Sequence, residues 1–190
     1  MEHFYQNLGQ DWFTYPQLYK GVVEKFNDGS HFVEVGVWKG RSASFMAVEI
    51  HNSGKKIKFD CVDTWEGSTE HLDESDPTKY DPILKEKDGL YNEYLKNIEP
   101  VKHIINSVRM TSVEASKLYK DESLDFVFID AAHDTESVKE DIAHWLPKIK
   151  KGGILAGHDY SWSGEVQEAV HAFFNTREFI ESEGCWIYNK

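Results

Sequence analysis

Four short apolar runs in this chain close abruptly on a glycine or a carboxylate. They are "HFVEVG" (31–36), "KIKFDCVD" (56–63), "SLDFVFID" (123–130) and "GGILAG" (152–157). A strand with one wet face alternates apolar and polar residues, whereas a strand covered on both faces reads as a nearly continuous apolar run. Between these runs lie segments of helical period. Tyr15, Leu18, Val22 and Phe26 repeat at helical spacing before "NDG", and "RSASFMAVEIHN" (41–52) reads as a helix. Val138, Ile142, Trp145 and Leu146 share one face of a helix that Thr135 is placed to cap, and Val166, Val170, Phe173 and Phe174 share another. "VKHIINSVRM" (101–110) supplies one more strand. "REFIESEGCWIYNK" (177–190) reads as two short strands around Glu183-Gly184. Alternation of this kind predicts an α/β, doubly wound, mostly parallel seven-stranded sheet, closed by a C-terminal antiparallel strand.

At 190 residues the chain suits a single domain with a core that needs neither disulfides nor structural metal. One segment breaks the short-loop rule. Residues 66–99 form an insertion that is polar and acidic at first and helical from Leu90 to Ile98, the composition of a lid or of a solvated loop. The formal charge of −12 argues against a nucleic-acid or anionic-membrane surface. No run approaches the ~18 apolar residues of a membrane span, and the N-terminus lacks the pattern of a signal peptide. Two cysteines, Cys61 and Cys185, fit no zinc motif and suit buried thiols in a cytoplasmic protein. The N-terminal aromatics Phe4, Tyr5, Trp12 and Phe13 suit a homodimer contact or an acceptor pocket. His51, His71 and His144 read as surface residues.

In a doubly wound sheet, ligands bind beyond the carboxyl ends of the strands. Four strand ends here carry acids: Glu34, Asp63, Asp130 and Asp159. Converging carboxylates repel unless cations or donors sit among them. In "VEVGVWKGRSAS", Gly36 and Gly40 allow a tight turn and a close approach to a ligand, yet GxGxxG is absent. A glutamate two residues ahead of the first glycine suits a cation. Ser42 and Ser44, at the start of the next helix, mark free amides that suit a carboxylate. A ligand bearing an ammonium, a carboxylate and a sulfonium would satisfy both, and Asp63 could accept from two ribose hydroxyls.

With these motifs the sequence resembles class I S-adenosylmethionine-dependent methyltransferases. It is most similar to the metal-dependent O-methyltransferases of the catechol and macrolide-sugar (macrocin-like) types. The resemblance spans roughly residues 15 to 190 and rests on "VEVGVWKGRSASFMA", "VDTWEG" and "FVFIDAAHDTESVKEDIAHWLPKIKKGGILAGHDY". It implies a Rossmann-like methyltransferase fold. It also implies that Glu34, Gly36, Trp38, Gly40 and Ser42 meet the methionine end of the cofactor. Asp63 would hold the ribose, and Met110 and Ser112 would lie by the adenine. Asp130, His158 and Asp159 fall on metal-ligand positions, Asp130 also bordering the cofactor, and His133 on the position of the base.

Such a set fits methyl transfer to a hydroxyl. A divalent metal polarises and places the acceptor oxygen, and an imidazole takes its proton. The resemblance implies S-adenosyl-L-methionine and magnesium, with a small-molecule hydroxyl acceptor such as a sugar or glycosylated metabolite. The chain departs from the pattern at His158, where the relatives carry an acid. An imidazole there tilts the site toward manganese or another transition metal, or leaves His158 outside the ligand set. The alternatives are a metal-independent methyltransferase acting on another acceptor and a non-catalytic cofactor-binding module. A nicotinamide oxidoreductase is disfavoured by the missing fingerprint.

Overall fold

The computed structural model describes residues 1–9, 12–76 and 79–190. Seven strands form one sheet: β1 His31–Val35, β2 Lys58–Asp63, β3 Ile105–Arg109, β4 Leu124–Ile129, β5 Ile149–Gly157, β6 Phe179–Ser182 and β7 Cys185–Asn189. Their order is β3-β2-β1-β4-β5-β7-β6. The first five are parallel, and β7 pairs antiparallel with both β5 and β6. The sheet expected from the apolar runs is therefore the sheet found. β3 is shorter than its apolar stretch, because residues 99–104 are spent on a turn.

Six helices cover the two faces: α1 Pro16–Lys25, α2 Arg41–Ser53, α3 Gly89–Ile98, α4 Ser112–Ser116, α5 Thr135–Trp145 and α6 Gly164–Phe173. Alternation along β1 divides the core. Phe32 packs with Phe59, Phe126, Phe128 and Met46 on one face. Val33 and Val35 pack with Val127, Ile142, Trp145 and Val170 on the other. Each such fully buried Phe or Val stabilises the fold by about 1.5–3 kcal/mol. Both cysteines are buried free thiols.

Three local expectations change. α5 is capped by Asp134, whose carboxylate accepts from the Ser137 amide at 3.0 Å, and Thr135 is its first helical residue. Phe4, Tyr5 and Phe13 pack onto the core beside Phe45, and only Trp12 of the N-terminal aromatics stays exposed. His71 is half-buried against Trp38, ring centroids 4.3 Å apart. The turn between β6 and β7 has positive φ at both Glu183 and Gly184, as tight hairpins require.

The 66–99 insertion holds two 3-10 turns, Thr69–Leu72 and Pro82–Lys85, before α3 enters the core. It is tied down by an ion pair between Lys39 and the buried Asp81. Among the described residues, no helix is long and apolar enough to cross a membrane.

Candidate active site

The strand order reverses between β1 and β4, so a crevice opens at their carboxyl ends. Gly36 leaves β1 with φ +83°, and a Cβ built there would stand 2.0 Å from the Asp130 carbonyl oxygen. Only glycine lets the loop after β1 lie against the end of β4. Trp38 follows with φ 51°, and Gly40 opens α2.

The four strand-end acids have separate arrangements. Glu34 is 1% exposed and accepts from the Ser42 hydroxyl, with its second oxygen buried. Asp63 takes the amides of Val37 at 2.7 Å and Trp38 at 2.9 Å on one oxygen, and that of Trp65 at 2.7 Å on the other. Burial still pushes Asp63 above its ordinary range, against the pull of these amides. A carboxylate offers about four lone-pair directions, so the ribose hydroxyls expected at Asp63 would share it with these amides.

Asp130 accepts from the Tyr15 hydroxyl at 2.8 Å. Asp159, at φ 58°, faces His133 Nε2 at 2.8 Å. Left-handed backbone at a non-glycine residue is costly and clusters at functional sites. Burial would raise the Asp159 carboxyl, but hydrogen bonds from His133 and His158 outweigh it and hold it well below the usual range.

His158 is 7% exposed and lies beneath both aspartates. Its Nδ1 is 3.5 Å from Asp130 Oδ1 and 3.4 Å from Asp159 Oδ1. Its Nε2 meets Thr14 Oγ1 at 3.0 Å, and the Thr14 hydroxyl gives its proton to the Glu183 carbonyl at 3.2 Å. Thr14 must therefore accept from Nε2–H, while Nδ1 faces only acceptors. Nε2 thus donates, and Nδ1 lies within ion-pair distance of both carboxylates. Burial works against a charge on the ring, but the two carboxylates override it and lift the His158 pKa to about 10.

His158 stands between the two aspartates, at the position that the resemblance gives to a metal ligand. The side chains that bring ligand atoms within 4.8 Å of one another are Asp130, His133 and Asp159. Two carboxylates and an imidazole are a donor set that fits a divalent cation such as manganese.

The remaining expected residues divide. Met110 is 41% exposed, and its amide donates to the Asp63 carbonyl at 3.1 Å, which puts it at the crevice beside β2. The Ser112 hydroxyl is committed elsewhere: it donates to Asp141 and accepts from Trp145 Nε1 at 2.9 Å. Burial lifts Asp141 to about 6 even with that bond, so the serine serves the α4–α5 contact. Ser42 is likewise occupied by Glu34, and what α2 offers a ligand is its first turn of amides, which no side chain caps.

The spacing of the sequence motifs did not point to Thr14, Tyr15, His71 or Trp162. Trp162 is 61% exposed with its ring 5.1 Å from that of His158, and Trp12 lies 5.8 Å from His71. Trp12, Trp38 and His71 thus make one aromatic cluster, and Trp162 packs separately on His158. A cavity of about 620 Å³ lies at the opposite edge of the sheet, lined by His31, His51, His103 and Asp60. Its one buried acid, Asp60, is satisfied by His31, Tyr119 and Asn106 at 2.7–3.0 Å, so that end is read as structural.

Glu34 and His158 both bind protons more tightly folded than unfolded. For Glu34 the cause is burial, offset only partly by Ser42, which takes it to about 8. For both groups the stabilisation is full below the unfolded values, near 4.3 for Glu and 6.5 for His. It is lost as pH rises through about 8 and about 10. Urea unfolding of the ligand-free protein is expected to show stability falling from about pH 6 to about pH 9, and falling less in Glu34→Gln. An equal slope in the variant would remove Glu34 from this account.

A model of the family described as "Methyltransferase domain" matches residues 33–160. Among solved structures, the O-methyltransferase NovP is similar at a TM-score of 0.67 and 16% identity, over 92% of this chain and 78% of that one. A candidate caffeoyl-CoA O-methyltransferase from Staphylococcus aureus gives 0.64 at 13% identity, over 97% and 87%. A candidate methyltransferase from Streptococcus mutans, solved in complex with SAH, gives 0.57 at 10% identity, over 90% and 93%. No curated protein matches the chain by sequence. At these identities the likenesses speak for the fold.

Proposed function

The chain belongs to the methyltransferase-domain family, and from that premise we propose an S-adenosylmethionine-dependent O-methyltransferase acting on a hydroxyl of a small molecule. The observation that carries this reading is the His133–Asp159 pair, 2.8 Å apart and beside Asp130, at the carboxyl ends of β4 and β5. A cofactor-binding module has no need of an oriented base there.

In this reading the loop from Gly36 to Gly40 receives the methionine end of the cofactor. The first-turn amides of α2 meet its carboxylate, and Glu34 lies beneath. Asp63 anchors the loop through the Val37 and Trp38 amides and also accepts from the ribose. Met110 borders the adenine.

Methyl transfer is an in-line displacement, so the acceptor oxygen must be held close to the methyl carbon and relieved of its proton. His133 gives its Nε2 side to Asp159, which orients the ring as the base that takes the proton. Asp159 fixes the ring and stabilises the imidazolium that results. Asp130 and Asp159 would hold a divalent cation, magnesium or manganese, whose contribution is to polarise and place the acceptor oxygen. The cluster of Trp12, Trp38 and His71 and the exposed Trp162 each offer a face to a flat acceptor ring, a sugar face included.

One observation favours a second reading. His158 Nδ1 lies within 3.5 Å of both carboxylates, and a protonated ring there would neutralise part of their charge without metal. The test is transfer of labelled methyl from S-adenosylmethionine to catechol and to a panel of hydroxylated glycosides, before and after exhaustive chelation. Metal removal is expected to cut the rate at least about tenfold, with magnesium or manganese restoring it. Full activity in metal-free enzyme would select the metal-independent reading.

A further inference from the structure

We infer that Thr14 and Tyr15, ahead of α1, are the positioning residues of the reaction centre: Tyr15 fixes the Asp130 carboxylate, and Thr14 fixes His158. This rests on the functional reading above and assigns roles to residues that none of the sequence motifs includes.

Tyr15 is 1% exposed, and its hydroxyl lies 2.8 Å from Asp130 Oδ2, across 115 residues of sequence. Its ring is confined by Phe128, with centroids 4.5 Å apart, and by His158 at 4.8 Å. The terminal torsion of an aspartate is broad, so a carboxylate held at one oxygen still swings. Asp130 is held at both, with Tyr15 on Oδ2 and His158 on Oδ1. Its plane is fixed before any ligand arrives.

Thr14 performs the matching task on His158. Its hydroxyl bridges His158 Nε2 and the Glu183 carbonyl in the β6–β7 turn. A second bond, from the Leu18 amide to Glu183 Oε2 at 3.2 Å, ties α1 to the same turn. The start of α1 and the C-terminal hairpin are thus latched together over the imidazole that spaces the two aspartates. Tyr15 reaches the site through Asp130 and Thr14 through His158.

The test uses the full chain with Tyr15→Phe, which keeps the ring and removes only the hydroxyl. A second pair, Thr14→Val and Thr14→Ser, removes or keeps the hydroxyl at the other site. Manganese binding is followed by the paramagnetic signal of free Mn²⁺ in the presence of S-adenosylhomocysteine, with turnover and thermal midpoint measured alongside. Tyr15→Phe is expected to weaken Mn²⁺ binding and lower kcat by about tenfold or more, the usual effect of losing a partner to a metal-site side chain. KM for S-adenosylmethionine and the melting temperature should stay near wild type. Thr14→Val should lose turnover, and Thr14→Ser should restore it. Wild-type Mn²⁺ affinity and kcat in Tyr15→Phe would overturn the inference. Should the wild-type protein itself bind no Mn²⁺, the metal reading fails, and kcat alone decides: a drop in Tyr15→Phe sustains the positioning role and an unchanged value ends it.

Discussion

Gly36→Ala is expected to destabilise the protein by about 3 kcal/mol and to abolish cofactor binding. Two costs combine. At φ +83° an L-residue is strained by roughly 1–2 kcal/mol. The added methyl would also stand 2.0 Å from the Asp130 carbonyl oxygen, 2.4 Å from its carbon and 2.7 Å from Ala131 Cα. These are backbone atoms, so no rotamer change relieves the clash. The Asp130 amide donates to the Val35 carbonyl at 2.7 Å, so β1 and β4 cannot part there without losing that bond. Forced overpacking of this kind costs roughly another 1–3 kcal/mol. For a chain of this size the melting temperature should fall by about 6–12 °C. The loop that would receive the cofactor and the carboxylate beside the acceptor move together, so methyl transfer should be lost even in the folded fraction. A melting temperature within 2 °C of wild type, by calorimetry, would contradict the geometry at this contact.

His133→Ala is expected to lower kcat by about 10²–10⁴-fold, the range for loss of a general base, while cofactor affinity stays within about twofold. His133 lies after the end of β4 and is fixed by Asp159, 2.8 Å away at the end of β5. On the proposed function its removal takes away the proton acceptor and leaves the Gly36–Gly40 loop, Asp63 and Met110 in place. Added imidazole should recover part of the lost rate, since a small base can enter the space of the missing ring. Binding of Mn²⁺ separates the two roles this position could play. Retained affinity with lost turnover identifies a base, whereas lost affinity identifies a ligand, as the proximity of Asp130, His133 and Asp159 also permits. Unchanged turnover would remove His133 from the mechanism.

Much of the fold was legible because its signals are local. Continuous apolar runs marked the buried strands, and helical spacing marked α1, α2, α5 and α6. Acids at strand ends marked the edge where ligands bind, and Asp130, His133 and Asp159 do meet there. Local spacing could not show the distant partners of a side chain. The Ser112 hydroxyl meets Asp141 and Trp145, 29 and 33 residues onward. Asp63 meets the Val37, Trp38 and Trp65 amides. His71 looked like a surface residue until the insertion folded back onto Trp38.

The sequence by itself determined the layered α/β sheet, the crevice at the carboxyl ends of its strands and the kinds of group gathered there. Burial and periodicity act on neighbours along the chain, and a pattern of neighbours is what a sequence displays. The tertiary structure alone decided what each of those groups does. His158 came to lie between two carboxylates on one side and Thr14, 144 residues before it, on the other. Tyr15 came to hold Asp130 because α1 begins beside the end of β4. Hydrogen-bond donors and acceptors are assigned by proximity in space, and the fold creates that proximity only after the strands have been ordered.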